Sequence, residues 1–304
     1  MQSTDHQRLL RLVADRLQRQ VPAPIEGLAE AARARHSPGV VAVLAYGSCL
    51  RGIDPRETLA DLYVLTETTA AVSRNPLSRL GCRLLPPNVY YLEADMGAER
   101  FRAKYAVMPI DLFEAWVAPS TDNPYFWARF AQPSALVWIR DDITRQRVIT
   151  AIAQAVATML GEARRLAGGN QSQDPLKLWQ AVLRETYQTE LRSESVDRGN
   201  SIVAADADWY RATAEALPAH GTDRDRSPGS IAQDWARRRR RGKVLAALRL
   251  IKAAFTFQGG ADYLAWKIER HSKVKVELTD WQRRHPLIAA ITLMPRLYKR
   301  GGFR

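Results

Sequence analysis

The residues best placed to do chemistry lie in one stretch, Val40 to Thr66, which reads VVAVLAYGSCLRGIDPRETLADLYVLT. An apolar run, Val40–Tyr46, ends in Gly47-Ser48. A second apolar run, Leu62–Leu65, begins just after Asp61. Each run is short enough to be a buried strand, and the Gly52 and Asp54-Pro55 segment between them cannot continue one. A strand that ends in Gly-Ser and turns into a helix offers backbone N–H groups and a hydroxyl to a phosphate. Gly47 lets the chain turn and lets a phosphate approach the backbone. Asp61 would then hold a divalent cation against the same phosphates. Mg²⁺ is usually bound in this way, by one or two carboxylates with phosphate oxygens and water completing its shell.

The elements around this stretch must position it. Leu9, Leu10, Val13 and Leu17 recur at helical spacing, and Pro22 and Pro24 end that helix before a second over Ile25–Arg35. After the second strand, Thr68–Arg79 reads as a loop. Strands follow at Asn88–Leu92, Phe101–Met108 and Ala135–Ile139, with short helices at Ile110–Trp116 and Tyr125–Phe130 between the last two. From Ile143 onward the pattern is helical. Asp141 or Asp142 caps Ile143–Leu166, and helices are expected over Leu176–Leu191, Ala205–Ala216 and Ile231–Phe257. The expected organisation is N-terminal helices over 1–35, an α/β domain over 36–142, a helical domain over 143–280 and a basic amphipathic segment over 281–304.

Composition narrows the partners. The chain has 304 residues and a formal net charge of +13, carried mostly by arginine. Such a surface favours nucleic acid, anionic lipid headgroups or a polyphosphate substrate. The two cysteines, Cys49 and Cys82, form neither a disulfide framework nor a zinc-type spacing. No run approaches the roughly 18–20 apolar residues that span a bilayer, and the N-terminus lacks the apolar core of a secretory signal. The expectation is a cytoplasmic protein, soluble or surface-associated.

The apolar–Gly-Ser–spacer–Asp layout resembles the nucleotidyltransferases of the DNA polymerase β superfamily. Those enzymes usually carry a second carboxylate two residues after the first; here that position is Tyr63. Several further segments, in order, resemble the mitochondrial-type phosphatidate cytidylyltransferases. They are Ala45-Tyr46-Gly47-Ser48, Asp61-Leu62, Val89-Tyr90-Tyr91, Lys104-Tyr105-Ala106-Val107, Tyr125 to Val137 around Arg129, Thr186 to Arg192, and Arg249 to Gly259 with Lys252, Phe255 and Thr256. Cys49, Ala106 and the Thr189-Glu190 pair depart from that family's pattern. Together these matches cover roughly residues 40–260.

The resemblance implies an α+β fold, a polymerase β-like nucleotidyltransferase domain followed by a winged-helix-like helical domain. It implies CTP as donor, phosphatidate as acceptor, CDP-diacylglycerol and pyrophosphate as products, Mg²⁺ as cofactor, and peripheral attachment to an anionic membrane. Asp61, Ser48 and Lys104 would be catalytic. Tyr46, Gly47, Ser48, Arg129, Arg249 and Lys252 would bind nucleotide or phosphate. Asp61 and Glu190 would hold the metal, with Glu93 and Asp111 as lesser candidates. The Arg237–Arg241 run and the Leu287–Arg304 segment would attract anionic lipid. A transferase with a non-lipid acceptor, or a degenerate fold that only binds nucleotide, RNA or membrane, are the alternatives. His271 and His285 read as surface or structural groups.

Overall fold

The computed structural model describes residues 3–52, 54–56, 59–168, 174–191, 198–218, 228–256, 259–262, 265–266 and 278–284. Its centre is a five-stranded mixed sheet in the order β3-β4-β2-β1-β5. The strands are β1 (Val40–Tyr46), β2 (Ala60–Thr66), β3 (Asn88–Met96), β4 (Glu99–Pro109) and β5 (Ser134–Ile139). Only β2 and β4 run parallel; the other pairs are antiparallel. The continuous apolar run of β1 is buried along its whole length, as expected of a central strand covered on both faces.

Helices α1 (Ser3–Leu17) and α2 (Ala23–His36) precede the sheet. Pro22 occupies the cap of α2 and Pro24 its first turn, where a missing N–H costs nothing. α2 packs across the sheet, whereas α1 lies against α6, α9 and β5. The other face of the sheet is covered by α4 (Ile110–Val117), α5 (Tyr125–Phe130) and α6 (Asp142–Leu166). Asp141 caps α6, its Oδ1 accepting from Thr144 N at 2.7 Å. α7 (Pro175–Tyr187), α8 (Arg198–Ala205), α9 (Ala207–Ala216) and the long α10 (Pro228–Thr256) complete the helical part. Sheet and helices share one apolar core, from Leu9 of α1 to Trp235 of α10. The fold class is the α+β one expected, with a mostly helical part following the last strand.

One expectation fails. The stretch read as a loop, Thr68–Arg79, enters a helix, α3 (Pro76–Leu84). Asn75 caps it, its Oδ1 accepting from Leu77 N and Ser78 N, and Pro76 opens the first turn. The Asn-Pro pair is a helix start as well as a turn signal. Smaller differences lie at element ends. β3 and β4 run on to meet at Gly97, and the helix read over Leu176–Leu191 stops at Tyr187. His271, His285 and the Leu287–Arg304 segment lie outside the described residues.

Candidate active site

Strand register assembles the first half of the site. Tyr46 pairs with Asp61 across β1 and β2, and Asp61 pairs with Lys104 across β2 and β4. Three side chains far apart in sequence therefore stand in one row. Lys104 Nζ lies 3.6 Å from Asp61 Oδ1, and both side chains are partly exposed. The chain leaves β1 through Gly47 at φ +82°, a conformation that L side chains rarely adopt. It then makes one 3-10 turn, Gly47–Leu50, closed by Arg51 N donating to Ser48 O. The helix expected after Gly-Ser is this one short turn. Any phosphate there would meet the N–H groups and hydroxyl of a tight turn, without a full helix dipole behind them.

Gly47 also makes room for the carboxylate. A Cβ at Gly47 would lie 3.2 Å from Asp61 Oδ2. Gly47→Ala is therefore expected to cost about 1–2 kcal/mol for the left-handed backbone and, by pushing Asp61 aside, to lower activity more than stability. Denaturant unfolding and turnover measured on the same preparation separate the two effects.

Tyr63 occupies the second-carboxylate position, two residues after Asp61. It is fully buried, its ring packed 4.9 Å from Phe130 and 5.3 Å from Tyr46. The aromatic core takes up the place where another acid would stand. Among the described residues no group of three His, Cys, Asp or Glu side chains comes together. Within the strand-end row Asp61 is the one carboxylate, and Glu190 lines the neighbouring cavity. This suits Mg²⁺ completed by substrate phosphates and water rather than an all-protein cage.

The second half of the site is a cavity of about 350 Å³. Tyr46 and Lys104 line it from the sheet, Asn123, Tyr125 and Arg129 from the α5 region, Glu190 from the end of α7, and Arg249 and Lys252 from α10. Gly242 allows α10 to press on the chain just before Glu190; a Cβ there would lie 2.5 Å from Thr189 O. Arg129 Nη1 donates to Tyr46 Oη at 2.8 Å, tying the cavity to the Gly-Ser turn. The Tyr125 ring lies between two guanidiniums, Arg129 at 4.5 Å and Arg249 at 4.4 Å from its centroid. Burial pushes the Tyr125 hydroxyl upward, but the neighbouring cations, led by Arg129, outweigh it and bring it below its ordinary value. Burial opposes charge on Arg129 too, yet Tyr125, Tyr46, Tyr63 and Glu190 hold it firmly protonated. Three buried donors on this wall have no hydrogen-bond partner: Arg129 Nε, Arg249 Nη2 and Asn123 Nδ2. With Arg129, Arg249 and Lys104 among its lining residues, the cavity suits an anionic ligand.

The expected site residues thus fall into two groups. Tyr46, Gly47, Ser48, Asp61 and Lys104 form the strand-end row with its turn. Arg129, Arg249 and Glu190 face the cavity beside it, so Glu190 stands among arginines. Lys252 lines the cavity, but its ammonium donates to Leu85 O at 2.5 Å, Pro87 O at 2.7 Å and Asn88 Oδ1 at 3.0 Å. It pins the chain between α3 and β3. Glu93 is tied to Tyr91 and Arg102, and Asp111 to Arg147, away from the cavity lining. Asn123 and Tyr125 were not singled out in the sequence. The one available signal was the i, i+4 spacing of Tyr125 and Arg129, which puts both on one helix face.

Burial pushes the Lys252 amine down to about 8. A lysine depressed by folding binds its proton more tightly in the unfolded chain, so its contribution to stability rises with pH. Between about pH 8 and 10.5 the wild type is expected to gain stability relative to Lys252→Met. Paired denaturant titrations across that window measure the difference.

No protein-family model and no curated protein matches this chain. Among solved structures it is similar to a nucleotidyltransferase-like protein from Exiguobacterium sibiricum. The identity is 12% over 91% of each chain and the TM-score is 0.26, a likeness too loose to carry an argument.

Proposed function

We propose that this protein is a nucleotidyltransferase of the polymerase β type, moving a nucleoside monophosphate from a nucleoside triphosphate to the phosphate of an acceptor. The observation that carries the reading is the Gly47-Ser48 turn packed against Asp61 and beside Lys104, next to a cavity walled by Arg129 and Arg249. The finer reading takes CTP as donor and phosphatidate as acceptor, making CDP-diacylglycerol. It is supported by the ordered segments from Ala45-Tyr46-Gly47-Ser48 to Thr256, and by a cavity whose walls mix arginines with Val89, Ala106, Ala246 and Leu250. Attachment to a membrane surface belongs to the same proposal.

In this mechanism an acceptor phosphate oxygen, ionised at neutral pH, attacks the α-phosphorus of the donor. A new P–O bond forms, the α–β bridge breaks and pyrophosphate leaves. No strong general base is needed, so positioning and charge neutralisation carry the catalysis. Ser48 and the turn amides hold the β- and γ-phosphates. Asp61 would hold Mg²⁺, which supplies charge neutralisation on the triphosphate when bound. Lys104, released from Asp61, adds a cation to the same oxygens. Arg129 and Arg249, on the cavity wall, would meet the acceptor phosphate.

The test is incubation of purified protein with labelled CTP, Mg²⁺ and phosphatidate in mixed micelles, with the other nucleoside triphosphates run in parallel. Lipid-soluble CDP product is expected. Pyrophosphate release only with a water-soluble acceptor would keep the transferase and remove the lipid. Absence of both product and nucleotide binding would overturn the enzyme reading.

A further inference from the structure

Two helices present apolar faces that the core does not use. Leu77, Leu80 and Leu84 share one side of α3, and Val244, Leu248 and Ile251 follow i, i+4, i+7 spacing on α10. These six side chains are 46–76% exposed. The helices are also tied together. Lys252 holds Leu85 O and Pro87 O just past the end of α3, and Arg249 Nε donates to Pro86 O at 3.1 Å. The two rows therefore belong to one braced unit rather than to loose ends.

The charges that α3 and the later part of α10 themselves carry are all positive. α3 contributes Arg79 and Arg83, and α10 contributes Arg240 and Lys243 near its row. Neither α3 nor the part of α10 after Asp234 contains a carboxylate. A second copy meeting this surface through a two-fold axis would bring like charges together, which is unfavourable. A bilayer with anionic headgroups matches both features: leucines enter the acyl boundary while the guanidiniums stay at the phosphates. No helix among the described residues is long and apolar enough to cross a membrane, so contact here would be by lying on it.

We infer that the paired α3–α10 face docks on an anionic lipid bilayer. The Arg237–Arg241 run, expected from the sequence to serve that purpose, is largely committed elsewhere. Arg237, Arg238 and Arg241 meet Asp122, Arg238 also meets Glu162, and Arg239 meets Glu185. Docking rests on the α3 and α10 rows instead. Its consequence for catalysis, but not docking itself, rests on the proposed function. Leu250, Ala253 and Thr256 of the same α10 line the cavity, so an acceptor embedded in the bilayer is presented beside it.

The test is flotation of the full chain with phosphatidylcholine vesicles, with and without phosphatidylglycerol. Binding is expected only with the anionic lipid, weakening as salt screens the arginines. Leu77→Gln/Leu80→Gln/Leu84→Gln and Val244→Gln/Leu248→Gln/Ile251→Gln should each weaken it at least about tenfold. Because these positions are exposed, both variants should keep the wild-type melting temperature. Transfer to a short-chain, water-soluble acceptor should also be unchanged, since none of the six lines the cavity. Failure of the wild type to bind, undiminished binding by both variants, or a dimer that depends on these rows in place of vesicle binding would each overturn the inference. Phosphatidylglycerol is not the proposed acceptor, and transfer is read separately. Loss of docking and loss of the transferase reading are therefore distinguishable.

Discussion

Asp61→Asn is expected to lower nucleotidyl transfer by at least about 10²–10³-fold, the scale set by removing one preorganised electrostatic group from a transition state. The amide keeps the size of the side chain, so Gly47 and the register with Tyr46 and Lys104 should persist. The change removes the one negative charge in the strand-end row. With Tyr63 built into the aromatic core, no acid two residues away can substitute for it. Lys104 also loses its ion partner at 3.6 Å, so an anion should bind the turn at least as well as before. The expected pattern is retained binding of nucleotide without metal, loss of the Mg²⁺-dependent increase in binding, and collapse of turnover. Titration of nucleotide with and without Mg²⁺, beside the rate, checks it. A variant that keeps its rate would remove Asp61 from the site.

The row containing Asp61 was legible in the sequence because it depends on local chemistry: an apolar run, a glycine that must turn, and an acid where the next run begins. Strand register does the rest, and register follows from which residues are buried. The cavity was much less legible. Arg129 and Arg249 stand 120 positions apart, and only tertiary packing places the Tyr125 ring between them. Lys252 shows the limit from the other side. In the sequence it is a cation near a phosphate site, while in the fold three oxygen acceptors consume its donors. The same holds for Arg237–Arg241. A run of arginines reads as a solvated or lipid-facing surface, because the acids that answer it come from α6, α7 and the segment before α5. α3 was missed for a different reason: Asn75-Pro76 serves both turns and helix starts, and its leucines point outward, so no inward apolar face marks it.

Those acids define the second large effect. Arg238 of α10 is held by both oxygens of Glu162 on α6, at 2.6 and 3.2 Å, and by Asp122 at 3.3 Å. Trp127 and Trp235 lie against its guanidinium, at 5.4 and 5.0 Å. Arg238 and Glu162 are both buried. Removing one member of such a pair leaves the other charge buried and uncompensated, which costs about 3–5 kcal/mol. Asp122 remains as a partial partner for Arg238, so Glu162→Gln is expected at the lower end. A fall in melting temperature of roughly 5 °C follows for a chain of this size. Replacing both partners, as in Glu162→Met/Arg238→Leu, removes the stranded charge and should recover much of the loss. The same network predicts acid sensitivity. Burial pushes the Asp122 carboxyl upward, but Arg237 and Arg238 outweigh it and hold it below its ordinary value. A depressed carboxylate contributes stability above its unfolded pKa and loses it as pH falls through the folded one. Asp122→Asn should therefore flatten the acid limb of the stability curve while Glu162→Gln lowers the plateau. Because α10 carries Arg249 and lines the cavity, loosening its anchor on α6 should also raise KM more than it lowers kcat. An effect on kcat alone would place this network in the chemistry rather than in the brace behind it.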